Sequence, residues 1–312
     1  MRLVTYDRGG ARRLGAWVGN AVVDLPDAVG HPAFPTTMEA LVTRHGGTIL
    51  EAARHALASP QHAGDCTVAD PRLLVPIIPA SLLEFENEVP PRPGTRRRRK
   101  EEPGEATSGN RPAGGADRKR TLFGPEEQLP WPPSAGALRF GLEVACVLGK
   151  AGRDLSPPQA ARLIFGYTLK ITWSIDRPAR RRNAATNGRP AQDFATCLGP
   201  CVVTRDEFDP SDARLAVTID GRVAFDGGLG PIRRRLADMI AHVSKESPVC
   251  PGDIFGLAVA TEAALPVGGI GPGARLDVRI DGLGALRSHV GRPPRARKRA
   301  ASFAFSRPAL AH

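Results

Sequence analysis

Glu143 is the residue of this chain whose type and position most strongly suggest chemistry. It lies in the run Phe140-Gly-Leu-Glu-Val-Ala-Cys-Val-Leu148, whose apolar residues predict a buried β-strand. A carboxylate in an apolar core is strongly disfavoured unless it has a partner or a ligand. Two interpretations follow: Glu143 faces a pocket as a catalytic residue, or it forms a structural ion pair with Lys170 or an arginine.

Three glutamates form a second group of candidates, in the segment Ser81-Leu-Leu-Glu-Phe-Glu-Asn-Glu-Val89. Neighbouring carboxylates repel one another, which raises the pKa of at least one of them and suits a general base or a cation ligand. The arginine run at 96–99 supports a different interpretation, because a solvated acidic loop would balance its charge. The sequence leaves both interpretations open for Glu84, Glu86 and Glu88.

The elements that must position these residues are mostly short strands. Residues 1–25 alternate around two turns, which predicts a three-stranded meander, and residues 37–58 have helical spacing after a cap at Thr36 or Thr37. Further along, the pattern predicts strands at 138–149, 164–173, 200–204, 214–220, 253–259 and 275–281, and helices at 157–164 and 231–243. Many strands with few helices indicate a sandwich or a rolled barrel.

Changes in composition divide the chain into parts. An N-terminal module at 1–70 combines the meander with the helical stretch, and a main domain follows at 71–290. Residues 90–135 lack apolar periodicity and are predicted to form a flexible lid or insertion, since a long stretch of this kind is usually functional or disordered. Residues 291–312 form a basic tail.

The net charge of +11 is concentrated in two segments. Residues 91–120 contain ten basic and four acidic residues, and residues 291–312 contain six basic and none acidic, so the rest of the chain has a net charge of −1. Both segments are rich in Pro, Gly and Ala, which is typical of solvated, weakly structured chain. No nucleic-acid-binding motif accompanies them, and we expect no nucleic-acid partner.

The cysteines and the hydropathy pattern indicate the cellular compartment in which the protein is expected. Five cysteines are present, an odd number with no CxxC pair, which favours reduced thiols and a cytoplasmic location over a disulfide framework. No apolar run reaches the 18 or more residues of a membrane span, and the first residues lack the apolar core of a signal peptide. We therefore expect no membrane partner.

Several short motifs occur in a fixed order: Leu73-Leu-Val-Pro76, Ile164-Phe-Gly-Tyr-Thr168, Trp173-Ser174, Asp193-Phe-Ala-Thr-Cys-Leu-Gly-Pro200 and Pro251-Gly-Asp253. This ordered set resembles the fumarylacetoacetate hydrolase family. The resemblance implies an α+β, β-rich fold, a mixed β-sandwich or β-roll with a small N-terminal domain, and a homodimer. It also implies an enzyme acting on a small anionic oxo-acid or β-dicarbonyl substrate by C–C hydrolysis, decarboxylation or isomerisation.

The resemblance further implies a divalent cofactor, Mg²⁺ or Mn²⁺, held by three carboxylates and stabilising enolate charge on the substrate. Here the family's first pair of ligands, Glu-x-Glu, reads Gly141-Leu-Glu143, and Thr172 stands at the position of a metal aspartate. Glu84 and Glu143 remain as candidate metal ligands. A weakly bound metal and no metal at all stay open as alternatives.

The other candidate roles follow from the same alignment of motifs. Glu143, Glu86 and Glu88 are candidates for the catalytic acid or base, and Glu88 falls where the family has a histidine. Asp176 replaces an arginine of the family, and Gln192 replaces a lysine that faces the substrate. Thr196 is a threonine in the family as well. The resemblance thus assigns substrate contacts to five residues: Thr172, Asp176, Arg177, Gln192 and Thr196.

Three functional hypotheses result, and the retained scaffold motifs favour the first. The chain is a divergent enzyme of the family with oxo-acid or β-dicarbonyl chemistry. Alternatively, it is a metal-independent enzyme that reuses the pocket for a cyclisation or an elimination governed by Glu143. In the third hypothesis it is catalytically silent and binds a ligand or a partner.

Overall fold

The computed structural model describes residues 1–45, 49–85, 122–176, 191–210, 213–229, 232–260 and 269–293. Its strands are β1 (Arg2–Arg8), β2 (Ala11–Val18), β3 (Ala21–Asp24), β4 (Thr67–Val68), β5 (Leu82–Phe85), β6 (Leu122–Phe123), β7 (Gln128–Leu129), β8 (Ala137–Leu148), β9 (Ile164–Asp176), β10 (Ala191–Thr204), β11 (Arg214–Ile219), β12 (Arg222–Gly228), β13 (Ile254–Ala260), β14 (Arg275–Ile280) and β15 (Gly284–Val290). The helices are α1 (Leu25–Val29), α2 (Met38–Ala40), which continues as a π-helical turn over Leu41–His45, α3 (Leu50–Ala58), α4 (Pro60–Asp65), α5 (Pro157–Leu163) and α6 (Ile232–Glu246).

Two sheets form the body of the protein. The larger has ten strands among the described residues, in the order β4-β3-β2-β1-β10-β9-β8-β13-β5, with β6 paired to β10. The smaller has five, in the order β12-β11-β14-β15-β7. Parallel and antiparallel pairs occur in both sheets. The result is the β-rich α+β architecture that the sequence predicts.

The N-terminal meander is continuous with the main sheet. Strand β1 pairs antiparallel with β10, with Arg2 opposite Val203 and Leu3 opposite Val202. The α-amino group of Met1 strengthens this junction by donating a 2.6 Å hydrogen bond to Thr204 Oγ1. The N-terminal residues are therefore joined to the strands that follow them by backbone hydrogen bonds as well as by side-chain packing.

Strand β8 is buried on both faces. Its side chains alternate, so that Leu142 and Val144 lie in the core shared with the five-stranded sheet, while Ala145 and Val147 lie in the core shared with the N-terminal residues. This double burial explains why the strand is a nearly continuous apolar run. It also means that any polar residue in the middle of β8 must find its partner inside the protein.

Most of the predicted elements are confirmed. The meander is present as β1 to β3, Thr37 Oγ1 caps α2 by accepting from the backbone N–H of Ala40 at 3.2 Å, and both predicted later helices are found. Strands β4, β5, β12 and β15 and residues 191–199 of β10 were not predicted. Residues 122–135 belong to the predicted insertion, yet they contribute β6 and β7 and bury Leu129 and Trp131. The basic segment at 91–120 lies outside the described residues, as does most of the basic tail.

Among the described residues, no helix combines the length and the hydropathy that crossing a membrane requires.

A buried carboxylate, Asp24, connects the meander to α1. Asp24 is 3% exposed and accepts hydrogen bonds from the Tyr6 hydroxyl, from Arg13 Nε at 2.8 Å and from the backbone N–H of Asp27 at 2.8 Å. Arg8 Nη1 lies 2.8 Å from the same carboxylate. Burial raises the pKa of Asp24, but the hydrogen bonds from Arg13 and Tyr6 outweigh burial and hold this pKa below its ordinary value.

We expect Asp24→Asn to lower the free energy of unfolding at neutral pH by about 2 kcal/mol, because charge-assisted hydrogen bonds are lost. A lowered folded-state pKa gives stability that is present above the ordinary aspartate pKa and is lost as pH falls through the folded-state value. The difference between wild type and variant should therefore shrink in acid, which urea unfolding at several pH values measures. Asp27→Asn, whose carboxylate is 45% exposed, is the control and should cost less. A pH-independent difference would contradict this role of Asp24.

Candidate functional site

The candidate site is built on one face of strands β8 and β9. These strands pair antiparallel, with Glu143 opposite Lys170 and Gly141 opposite Thr172. Opposed residues of an antiparallel pair project to the same face, and so do residues two apart along a strand. The four positions therefore share one face, next to the apolar core that contains Ala145.

Glu143, Lys170 and Thr172 form a closed hydrogen-bonded group, which we call the Glu–Lys–Thr triad. Lys170 Nζ donates to Glu143 Oε1 and, at 2.7 Å, to Thr172 Oγ1. Thr172 Oγ1 donates in turn to Glu143 Oε1 at 2.9 Å. Lys170 is fully buried, Glu143 is 6% exposed and Thr172 is half-buried, so that Thr172 is the most accessible member of the triad.

The flanking strands complete the surroundings of the triad. On one side, Thr196 of β10 lies opposite Thr172 and is also buried. On the other side is Gly256 of β13, and a Cβ atom at this position would lie 2.0 Å from Glu143 Oε2 and 3.4 Å from Lys170 Cδ. Only glycine leaves space for the carboxylate in this position.

The electrostatics of the triad follow from its burial. Two unit charges 4 Å apart attract by about 4 kcal/mol at an effective dielectric constant of about 20. Removing the charges from water costs several kcal/mol per ion, so the pair as a whole contributes little net stability. Each charge nevertheless depends on the other, because a buried charge without its counter-charge is far more costly than the intact pair.

Comparison with known proteins places the chain in a family. The sequence model of the fumarylacetoacetate (FAA) hydrolase C-terminal domain matches residues 94–291, more than half of the chain. The chain belongs to the fumarylacetoacetate hydrolase family. A protein of Mycobacterium tuberculosis is 25% identical over 255 residues, which cover 78% of this chain and 88% of that protein.

Solved structures share the fold. A maleylpyruvate hydrolase from a Sphingobium species, in complex with manganese(II) ion and pyruvate, superposes with a TM-score of 0.62 at 22% identity, covering 94% of this chain and all of the other. A 5-carboxymethyl-2-hydroxymuconate delta-isomerase from Mycobacterium smegmatis gives a TM-score of 0.59 at 18% identity, covering 95% of this chain and all of the other. These similarities confirm the predicted fold of the fumarylacetoacetate hydrolase family.

The structure brings together three of the predicted site residues and places others only as backbone positions. Glu143, Thr172 and Thr196 lie on adjacent strands of the same sheet. Three other predicted residues, Glu84, Asp176 and Gln192, lie in strands, but their side chains are outside the described part of the structure. Their backbone partners across the sheet are Gly256 for Glu84, Ala137 and Ala191 for Asp176, and Ile175 for Gln192. The predicted residues that fall outside it altogether are Glu86, Glu88 and Arg177.

Lys170 and Gly256 are the site residues that the sequence analysis did not select. The sequence suggests Lys170 only as one possible partner of Glu143. The available signal was a lysine inside the apolar run Ile164–Ser174, since lysine is almost never fully buried unless it is paired. Gly256 has no comparable signal, because its role depends on which side chain approaches it across β8 and β13.

The described residues do not fit the divalent metal that the family implies. At two of the three positions where the resemblance expects carboxylates, Gly141 has no side chain and Thr172 has a neutral one. The third carboxylate, Glu143, is bound by the Lys170 ammonium, which would repel a dication at the same place. Within the described ranges, no group of three or more His, Cys, Asp or Glu residues is arranged to hold a metal.

Cys146 and Cys197, on the opposite face of the same sheet, are core residues. Burial raises the pKa of Cys146 to about 12 and that of Cys197 to about 11. A nucleophilic cysteine needs a lowered pKa, because the thiolate is the reactive form. These two thiols therefore serve packing, and all five cysteines are free of disulfide bonds.

We expect Gly256→Ala to displace the Glu143 carboxylate from Lys170 and to lower the free energy of unfolding by about 1–3 kcal/mol, as overpacking does in a dense core. Gly141→Ala is the matched control on the same face, because a Cβ atom there meets nothing within 4 Å. That variant should be neutral or slightly stabilising. Urea unfolding of both variants measures the contrast, and equal effects would contradict the tight approach at Gly256.

A double-mutant cycle tests the ion pair itself. Glu143→Gln and Lys170→Met should each cost about 3–5 kcal/mol of unfolding free energy, because each leaves the other charge buried. The double variant should cost less than the sum of the two by more than about 1 kcal/mol. The exposed pair Arg214–Asp226, joined at 2.8 Å, is the control, and its coupling should stay below about 1 kcal/mol. Additive losses at Glu143 and Lys170 would contradict the pairing.

Proposed function

We propose that this protein is an enzyme that acts on a small anionic 2-oxo acid or β-dicarbonyl compound, with Glu143 as the acid or base that moves a proton at the carbon next to the carbonyl. The observation that carries the proposal is the buried Glu–Lys–Thr triad on the sheet face of a fumarylacetoacetate hydrolase fold. Hydrolysis of a C–C bond, decarboxylation and isomerisation of such compounds share one demand, which is to stabilise the negative charge of an enolate.

The triad has the groups that this chemistry needs. Glu143 can accept or return a proton, while the Lys170 ammonium and the Thr172 hydroxyl can donate hydrogen bonds to a developing enolate oxygen. Burial strengthens these interactions because little water competes for the donors. Thr172 is the half-buried member, so a substrate reaches the group from its side.

The related structures support the substrate class. One is a maleylpyruvate hydrolase bound to pyruvate, a 2-oxo acid, and another is a 5-carboxymethyl-2-hydroxymuconate delta-isomerase. Pyruvate carries a carboxylate beside a carbonyl group, and the substrate that we propose carries the same arrangement or two carbonyl groups one carbon apart. The solved relatives include a hydrolase and an isomerase, which catalyse different overall reactions. We therefore propose formation of an enolate as the step that these reactions have in common.

The proposal is tested with the full chain and a panel of acylpyruvates and oxaloacetate, following loss of enol absorbance and release of carbon dioxide. We expect turnover of at least one compound, and we expect Glu143→Gln to reduce kcat by about 10²–10⁴-fold, the typical contribution of a general acid or base. Glu51→Gln, the same change on the exposed surface of α3, should leave kcat unchanged.

Two outcomes would contradict the proposal. If the wild-type chain turns over none of the panel, the substrate class is wrong. If Glu143→Gln is folded by circular dichroism and retains wild-type kcat, Glu143 is not the acid or base.

A further inference from the structure

Lys170 has an unusual position for a lysine. It lies in the middle of a strand that is hydrogen-bonded to neighbours on both sides, and its side chain has no solvent exposure. Its ammonium is held by Glu143 and Thr172, and its stem passes the glycine at 256, where a Cβ atom would lie 3.4 Å from Lys170 Cδ. Such a position is costly for a lysine unless the charge itself has a use or a counter-charge.

We propose that the Lys170 ammonium is the permanent cation of this site and that it takes the place of a divalent metal ion. A side-chain cation of this kind is bound covalently to the fold and cannot dissociate. The inference concerns the charge balance of the site, and it stands whether or not the protein turns over the substrates proposed above.

The charge balance supports this inference. Three carboxylates on one sheet face require a dication to neutralise most of their charge, whereas a single carboxylate requires a single positive charge. Among the residues whose side chains the structure describes, this face carries one carboxylate, Glu143, with glycine at 141 and a hydroxyl at 172. One ammonium matches this set, and a hard dication would find too few oxygen ligands.

The geometry supports it as well. Lys170 Nζ contacts the same Glu143 oxygen that accepts from Thr172, so the ammonium and the hydroxyl meet at one carboxylate oxygen. An ammonium group directs N–H donors at separate acceptors and does not chelate two oxygens of one ligand. The site should therefore recognise a single anionic oxygen, in contrast to the two-oxygen chelation that a metal provides.

The test is the binding of Mn²⁺ in the absence of any substrate, measured by calorimetry and by the electron paramagnetic resonance signal of free Mn²⁺. The variants are Glu143→Gln, Thr172→Asp, and the double variant Lys170→Met with Thr172→Asp. Thr172→Asp is the matched control, because it adds a carboxylate while the ammonium is kept.

We expect wild type and Glu143→Gln to be indistinguishable at millimolar Mn²⁺, since any ions bound elsewhere on the chain are common to both. The double variant should bind Mn²⁺ at least about 10-fold more tightly than Thr172→Asp, because it offers two carboxylates without a competing cation. Its thermal unfolding temperature should rise with Mn²⁺, since a ligand that binds only the folded state stabilises it.

Two results would overturn the inference. One is Mn²⁺ binding by the wild-type chain that is lost in Glu143→Gln while circular dichroism shows this variant to be folded, which would make Glu143 a metal ligand in the presence of Lys170. The other is a folded double variant that binds Mn²⁺ no better than Thr172→Asp. If the double variant does not fold, the comparison of wild type with Glu143→Gln still decides. Because no substrate is present, failure of this inference is separate from failure of the proposed enzymatic function.

Discussion

A lysine and a glutamate buried together inside a β-sheet impose a strict requirement on the strands around them. Glu143 and Lys170 meet only if β8 and β9 keep the register that sets them opposite each other. A slip of one residue would turn one charge towards the opposite, apolar face. Because both faces of β8 are buried and apolar, its other side chains do little to oppose such a slip, so the charge pair itself favours the observed register.

The same requirement extends to the third strand. Glu143 lies opposite Ala258 of β13, which brings Gly256 next to the carboxylate. A small residue is needed there because the acid occupies the volume that a side chain would fill. The ion pair, the register of three strands and one glycine are thus a single structural unit, and a change in any of them affects the others.

The N-terminal residues are part of this arrangement. Because β1 continues the main sheet through β10, the N-terminal core covers the same face of β8 that carries Glu143, where Ala145 and Val147 are buried. The face is apolar at this end and becomes polar at Glu143. The packing of the family fold can therefore be kept while the chemistry of the polar end changes. The residues that determine the fold are thus different from those that determine the activity.

Some secondary-structure elements of this protein can be predicted from the sequence, and others cannot. The meander and the two later helices were predictable from periodicity together with turn and capping residues, and the central strands were predictable from their short apolar runs. Strand β12 was missed although Asp220 and Gly221, both with positive φ, form the kind of turn that joins two strands of a hairpin. Its half-buried and exposed side chains give only a weak apolar alternation.

Some features of the candidate site can likewise be determined from the sequence, while others depend on the tertiary structure. From the sequence alone, the family, the strand that carries Glu143 and the loss of carboxylates at 141 and 172 can be determined, because they depend on residue types in a known order. Only the tertiary structure decided that Lys170 is the partner of Glu143 and that Gly256 makes room for it. The physical reason is that strand pairing joins residues 27 positions apart in one case and more than 100 in the other, and local sequence does not specify such contacts.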